Sequence, residues 1–450
     1  MRPRAPLGCA HQRVIFRQQQ PSRPLTCAAA RRRGARSPRA GPLRAPPRDG
    51  SPLSYYGRAA MERRLPAPLA CLLLAACASS EPRPKEPLGQ IPEATTTAKP
   101  EWLPFRIRAG KSVAADPREK HFAELRQLTF GGENAEAYWS PDGRKLVFQS
   151  TRDGNTCDQQ YILDLESGEV RRVSNGQGKT TCGYFLFPAP ATSAQARVLF
   201  ASTHAAGEAC PPKPDHSQGY VWPLDEFDIY TANADGSELR PLIQGKGYDA
   251  EATVAFDGSR LVFTSTRDGD IELYTAKLDG SDVKRITSTP GYDGGAFFSP
   301  DATKLVWRAS RPTGPALDDY RALLAKGLVR PSALEIFVAG ADGQNPRPVT
   351  RNGRANFAPY FLPDSRRILF ASDFSTPQGA RGMPNFDLYL VDSDAPPAAD
   401  GVPPVERVTF YEGFDSFPMF SPTGEHVVFA SNRHGAKPGE TNLFVARWVE

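Results

Sequence analysis

The chain has 450 residues and a formal net charge of +5 at pH 7, but its charge is unevenly distributed. Residues 1–64 hold 15 arginines, no lysine and two acids, Asp49 and Glu62, so they carry +13 and the rest of the chain carries −8. The basic isoelectric point therefore belongs to a terminal segment, and the remainder gives no support for a nucleic-acid-binding protein.

The beginning of the chain is rich in Arg and Pro and shows no apolar period, so we expect residues 1–60 to be untranslated or disordered. Met61 offers a second start. After it, a short basic region precedes an apolar stretch, residues 65–76, that is too short to span a bilayer. Residues 61–76 are therefore predicted to be a signal peptide.

This stretch ends in Leu74-Ala75-Ala76-Cys77, which resembles the lipobox of bacterial lipoproteins. The resemblance implies that Cys77 is lipidated and that acyl chains hold the protein on a membrane of the cell envelope. Ala78 follows the Cys in place of an Asp, which favours the outer membrane. An ordinary signal peptide that happens to contain a Cys is the alternative. Residues 77–120 are rich in Pro, Ser, Thr and Ala, and we interpret them as a linker.

A tight turn between two apolar strands recurs along residues 121–450. Its first copy contains Ser140-Pro141-Asp142-Gly143, in which Pro141 presets φ and Gly143 accepts a positive φ. The apolar strand after each of the six turns contains one of the following runs: Leu146-Val147-Phe148, Val198-Leu199-Phe200, Leu261-Val262-Phe263, Leu305-Val306-Trp307, Ile368-Leu369-Phe370 and Val427-Val428-Phe429.

Each repeat contains four strand candidates, which in the third repeat are residues 252–256, 260–265, 271–277 and 283–287. Six such units predict an all-β fold, a six-bladed β-propeller of four-stranded antiparallel blades. A β-sandwich is the alternative.

The two ends of the repeat array predict how the ring closes. The sixth unit lacks a fourth strand, and an orphan strand at residues 125–129 precedes the first unit. We therefore expect this N-terminal strand to pair with the C-terminal strand at residues 443–446, because that pairing removes two exposed sheet edges.

The Ser-Pro-Asp-Gly turn at residues 140–143 and its variants in the other repeats, together with a Leu-Thr strand at Leu128-Thr129, resemble the WD40-like repeats of TolB-like proteins over residues 122–450. The resemblance implies a six-bladed propeller and no particular activity, because propellers host many functions. TolB itself has a separate N-terminal α/β domain, whereas here only the predicted linker lies between Cys77 and the repeats.

In such a meander the loops between second and third strands and the connections between blades share one side, which we call the loop face. The remaining turns lie on the opposite side, the turn face. The long insertions of the loop face are residues 203–226, 309–333, 373–386 and 432–441. The second of these predicts a helix, because Pro315 suits a first turn and Gly327 suits a stop. Long loops on one side of a rigid ring are the usual place for recognition.

Charged residues recur on the loop face. The residues that follow the second strands are Arg152, His204, Arg267, Arg311 and Arg433. The acids in the connections between blades are Glu136, Asp249, Glu251, Asp293 and Asp415. Two interpretations stay open: a polar funnel that binds a ligand or cation, or salt bridges that hold neighbouring blades together.

Three cysteines, Cys157, Cys182 and Cys210, follow the lipobox, and all three are expected on the loop face. An exported protein meets oxidising conditions, so one disulfide is predicted, with Cys182–Cys210 as the first choice and Cys157–Cys182 as the second. Metal binding with His204 or His216 has no supporting ligand spacing, so we predict no metal and no cofactor.

The sequence contains neither a G-x-S-x-G elbow nor an H-E-x-x-H motif. We therefore favour a non-catalytic module that binds a protein, peptide or glycan of the envelope through its loop face. Tyr220 and Trp222 are the expected centre, as aromatic residues that anchor interfaces, although Trp222 can equally cap the core. The alternative is a propeller enzyme, in particular a metal-assisted polysaccharide lyase. Oligogalacturonate lyases are metal-binding propellers, and His204, His216 and His434 would be the corresponding loop-face histidines.

Overall fold

The computed structural model describes residues 105–450 except 188–195, 218, 378, 381–383 and 400. The predictions for residues 1–60, for the signal peptide at 61–76 and for lipidation of Cys77 lie outside the described residues.

The recurring turn forms as its sequence predicts. In the first copy, the Gly143 amide donates to the Ser140 carbonyl at 2.8 Å, and Gly143 takes a φ of 68°. The Ser140 hydroxyl donates to Asp142 and accepts from the Lys145 amide at 2.9 Å. The Ser and Asp side chains thus satisfy turn groups that a bare hairpin leaves to water.

The described residues form 27 strands, which are numbered in chain order. The first fourteen are β1 (Lys111–Ser112), β2 (Phe122–Gln127), β3 (Asn134–Trp139), β4 (Lys145–Ser150), β5 (Gln159–Asp164), β6 (Val170–Arg172), β7 (Thr180–Phe185), β8 (Arg197–Ser202), β9 (Trp222–Pro223), β10 (Asp228–Asn233), β11 (Arg240–Ile243), β12 (Asp249–Val254), β13 (Leu261–Ser265) and β14 (Glu272–Ala276). The others are β15 (Lys284–Arg285), β16 (Asp293–Phe298), β17 (Lys304–Ala309), β18 (Leu328–Val329), β19 (Glu335–Gly340), β20 (Arg347–Pro348), β21 (Asn356–Phe361), β22 (Arg367–Ser372), β23 (Asp387–Asp392), β24 (Val405–Arg407), β25 (Asp415–Phe420), β26 (His426–Ser431) and β27 (Asn442–Trp448). One helix, α1 (Pro315–Leu324), lies between β17 and β18.

These strands form six antiparallel blades, which confirms the predicted propeller. Blades one to five are β3-β4-β5-β6, β7-β8-β10-β11, β12-β13-β14-β15, β16-β17-β19-β20 and β21-β22-β23-β24. The innermost strands of neighbouring blades lie side by side around the ring, and β25 lies beside β3. The ring encloses a central channel lined by these innermost strands.

Blade six contains both ends of the repeat array, as the sequence predicts. Its strand order is β25-β26-β27-β2, and β2 pairs with β27 so that Arg126 faces Val445 and Gln127 faces Phe444. Beyond β2, the Leu443 amide donates to the Thr129 hydroxyl at 2.8 Å. The N-terminal strand therefore covers an edge that β27 would otherwise expose.

The hydrophobic core lies between the blades and is built on the second strands. The aromatic residue that ends each apolar run is at most 1% exposed in all six blades: Phe148, Phe200, Phe263, Trp307, Phe370 and Phe429. Burial of six large rings at one repeat position explains why this run is kept in every copy, since each ring contributes roughly 2–3 kcal/mol.

Residues 105–120, which the sequence analysis assigned to the linker, lie on the propeller. Phe105 and Ile107 pack against the core, and β1 adds a fifth strand to blade six. The Ala109 amide donates to the Leu165 carbonyl at 3.0 Å. The folded part thus begins earlier than the composition suggests. A few apolar residues and backbone hydrogen bonds suffice to hold this N-terminal strap (residues 105–120) on the surface of the propeller.

Candidate functional site

The insertions of blades two and four meet on the loop face. Strand β9 of the first pairs with β18 of the second, so that Trp222 faces Val329. Helix α1 forms where predicted, and the Tyr320 hydroxyl on it donates to Asp270 of blade three. The two insertions therefore form one cover over blades two to four, which we call the loop cover (residues 203–226 and 310–333).

A disulfide ties the loop cover to blade one, but its pairing corrects both sequence choices. Cys157, after β4, is bonded to Cys210 in the blade-two insertion, with Cα atoms 5.9 Å apart. Cys182 is free and buried, because it lies on the innermost strand β7 and not in a loop. The sequence choices were wrong because they placed Cys182 in a connection between blades.

Most of the recurring charges form pairs inside single blades. Arg267 donates to both oxygens of Asp249 at 3.0 Å, and its Nε donates to the Ser265 hydroxyl at 2.9 Å. Arg311 donates to Asp293 at 2.7 and 3.0 Å. Each pair joins the start of the first strand to the residues after the second, so salt bridging within a blade is the better interpretation for these pairs.

The other members of this series have similar structural partners. Arg152 donates to the Asn134 side chain at 2.7 Å. Arg433 donates to Asp415 at 2.7 Å and to both oxygens of Glu119, at 2.9 and 3.1 Å. Arg152, Arg267, Arg311 and Arg433 therefore do not line a funnel as free charges.

The histidine of the series, His204, is also engaged. Its Nδ1 lies 2.8 Å from the Ser202 hydroxyl, its ring packs on Tyr230, and burial lowers the pKa of His204. His216 stacks on Tyr220 and His434 packs near Phe444, so the three candidate histidines have separate partners. Across the described residues, no three His, Cys, Asp or Glu side chains come together as metal ligands.

The central channel carries a ring of residues that the sequence analysis did not recognise as a unit. Each innermost strand contains a β-bulge two residues after its start, at the same repeat position. The bulged residues have φ between 45° and 63°, and they are Glu136, Cys182, Glu251, Gly295, Ala358 and Phe417. A bulge re-aims one side chain, and here five of the six residues line one cavity in the channel while Gly295 contributes backbone.

Glu251 is fully engaged in this ring. It forms an ion pair with Arg308 of blade four, and its Oε2 accepts from the Thr264 hydroxyl at 2.8 Å and the Gly295 amide at 2.9 Å. Arg308 also donates to the Tyr292 hydroxyl at 2.8 Å. The channel thus holds a buried, hydrogen-bonded charge pair.

Arg308 was not among the residues predicted from the sequence, although the sequence contains a signal for it. The corresponding position in the other second strands holds a small or uncharged residue: Gln149, Ala201, Thr264, Ala371 and Ala430. An arginine that replaces small residues at an inward repeat position indicates a specific partner, and Arg308 is only 9% exposed.

Glu136 differs from Glu251 because its Oε2 atom is shielded from solvent and accepts no hydrogen bond from the described residues. Burial raises the pKa of Glu136 to about 7, against a smaller lowering by the Cys182 thiol, and the nearby Glu251 charge raises it further. Burial also raises the pKa of Cys182, so this thiol is not activated.

The outer part of the loop face carries exposed aromatic residues. Tyr220 is 57% exposed, Phe130 53% and Phe374 43%, and all three lie in loop-face segments. The fourth large exposed hydrophobic residue of the described ranges, Val283, lies in a turn of the opposite face. Trp222 is half-buried, packing on Tyr292 and Phe357, so much of its ring already caps the core.

None of the helices in the described ranges combines the length and the apolar character needed to cross a membrane. No family model matches the chain.

Solved propellers resemble this chain at low identity. A TolB protein from Agrobacterium tumefaciens is 17% identical over 70% of this chain and 90% of its own length, with a TM-score of 0.43. TolB from Acinetobacter baumannii is 18% identical over 58% and 52%, with a TM-score of 0.41. An oligogalacturonate lyase in complex with manganese is 15% identical over 76% and 98%, with a TM-score of 0.42. Similarities of this size assign no activity to the chain. By its six four-stranded blades and its closing strand pair, this chain is a six-bladed β-propeller, and its turn sequences resemble those of TolB-like proteins.

Proposed function

We propose that the protein is a non-catalytic module of the bacterial envelope whose loop face binds a protein, peptide or glycan partner. The observation that carries this proposal is the distribution of exposed aromatic residues. Tyr220, Phe130 and Phe374 all lie in loop-face segments, at exposures of 43% or more. Exposed aromatic side chains are common at interfaces and on sugar-binding surfaces.

The restraint of the loop that carries Tyr220 supports the same proposal. The segment before it contains three prolines between Cys210 and Asp215, and the disulfide to Cys157 fixes one end of it. The pairing of β9 with β18 fixes the other end. A restrained loop loses less conformational entropy when a partner binds, so more of the contact energy remains as affinity.

The course of residues 105–109 supports a tethered orientation. Phe105 lies under the Arg144 guanidinium, 5.0 Å from ring centre to cation, and the Arg108 amide donates to the Leu165 carbonyl at 2.9 Å. Arg144 and Leu165 belong to turns of the turn face. If Cys77 is lipidated, the chain from the anchor reaches the propeller on this face and leaves the loop face free to meet a partner.

The test compares Tyr220→Ala with Val283→Ala, a matched removal of an exposed apolar side chain from the opposite face. Both variants should unfold within about 0.5 kcal/mol of the parent, as surface substitutions usually do. Immobilised proteins are then offered crosslinked envelope extract and a glycan array. We expect Tyr220→Ala to lose capture of the partner by about tenfold or more, and Val283→Ala to keep it. Full capture by Tyr220→Ala would contradict the proposal.

A further inference from the structure

Two unpartnered polar atoms line the same cavity in the central channel. They are Oε2 of Glu136, an acceptor, and Nε of Arg308, a donor, and neither has a hydrogen-bond partner among the described residues. Both atoms are shielded from solvent, and Arg308 as a whole is 9% exposed. Buried polar atoms are nearly always paired, so an unpaired donor and an unpaired acceptor on one cavity indicate a missing occupant.

The charges around the cavity are also unbalanced. Glu136 and Glu251 contribute two carboxylates, and Arg308 is the guanidinium that faces them. Because Arg308 is bound to Glu251 and to Tyr292, the ionised Glu136 has no cation of its own. A water molecule in the cavity can satisfy an unpaired polar atom but cannot neutralise the carboxylate.

The size of the cavity limits its occupant to a small end group, and packed rings close its turn-face side. The cavity measures about 20 Å³, the room of one water-sized group. On the turn-face side of the cavity lie packed aromatic rings, those of Tyr138, Tyr184, Phe297 and Tyr360. On the loop side the Trp222 ring lies over the Arg308 guanidinium, 5.5 Å from it.

We propose that the channel binds a free peptide N-terminus, whose α-ammonium group pairs with Glu136 while its first carbonyl oxygen accepts from Arg308 Nε. A lysine side chain offers the ammonium group without the adjacent carbonyl. A sugar hydroxyl offers a donor and an acceptor without the charge. The peptide N-terminus alone among these supplies all three features, and this site is distinct from the surface around Tyr220.

Binding should depend on the charge of Glu136. The ionisable groups around it are Cys182, Glu251, Arg308, Asp158 and Tyr138. Since burial raises the pKa of Glu136 to about 7, affinity should increase as the pH rises from 5.5 towards 7.5. It should fall again above about 8, where a peptide amine loses its own proton.

The test is calorimetric titration of the protein at low salt with three probes. Tetra-alanine with a free N-terminus is the ligand, N-acetyl-tetra-alanine lacks the ammonium group, and N-acetyl-lysine methylamide carries the ammonium on a side chain. We expect tetra-alanine alone to bind, with the pH profile just described. Binding of the acetylated tetrapeptide, equal binding of the lysine derivative, or no binding of tetra-alanine would each overturn the proposal.

Two variants locate the site. Glu136→Gln keeps the shape of the side chain and removes its charge, so it should weaken tetra-alanine binding about tenfold to a hundredfold and abolish the rise with pH. Tyr220→Ala should leave tetra-alanine binding unchanged, which separates this site from the loop-face surface. Unchanged binding in Glu136→Gln would overturn the assignment, whatever the outcome at Tyr220.

Discussion

Replacing Arg433 by alanine should lower the free energy of unfolding by about 3–5 kcal/mol, because it leaves buried carboxylates without their cation. Arg433 is 5% exposed and donates three hydrogen bonds to carboxylates, one to Asp415 at the start of β25 and two to Glu119 of the N-terminal strap. Both carboxylate side chains are fully buried. The side chain thus joins the innermost strand of blade six to the segment that leads into β2.

Urea denaturation measures this loss, and Arg366→Ala is its matched control. Arg366 pairs with Asp392 at 3.3 Å, but its side chain is 52% exposed. Exposed pairs contribute about 0–1 kcal/mol, so this variant should unfold close to the parent. Equal effects of the two substitutions would show that the buried cluster does not hold the closing blade.

Glu136→Gln should change how stability depends on pH. The folded state keeps the Glu136 proton up to about pH 7, whereas the unfolded chain releases it near 4.5. Between these values the folded state binds more protons, so the stability of the parent falls as the pH rises. The full loss is about 3 kcal/mol, from 1.36 kcal/mol per pKa unit. A glutamine does not ionise and avoids this loss.

The measurement compares the free energy of unfolding of parent and variant at pH 5 and pH 8. The variant should gain on the parent by about 2.5 kcal/mol between pH 5 and pH 8, and the difference between the two proteins cancels the titration of other buried acids. If the two proteins lose stability in parallel, Glu136 does not carry a buried, unpaired charge, and the channel site loses its physical basis.

The repeat made the fold predictable from the sequence. Each copy places an aromatic residue such as Phe148 at the same buried position and a Ser-Pro-Asp turn before it, so local propensity and packing agree in every blade. The closing pair of β2 and β27 followed from an orphan strand at one end and a missing strand at the other.

The channel site was less predictable because β-bulges determine which side chains of the innermost strands face the channel. From the sequence, Glu136 and Glu251 were expected in the connections between blades. Both lie instead on innermost strands, where a positive φ aims their side chains into the channel. A strand pattern of period two does not encode that deviation. Arg308 was detectable only by comparing the same position across repeats.

The prediction of the disulfide pairing was wrong for a related reason. Cys182 sits at a bulge position of β7, so its thiol faces the channel, while Cys157 and Cys210 lie in loops that approach each other in space. Nothing in the spacing of 53 residues between the bonded pair indicates that approach.

The most direct test of a binding loop face is site-specific photocrosslinking in living cells. A photoreactive phenylalanine analogue replaces Tyr220 in one strain and Val283 in another, and both positions are exposed, at 57% and 38%. The loop-face account predicts a discrete crosslinked partner from position 220 and none from position 283. Crosslinks from position 283 with none from position 220 would contradict it.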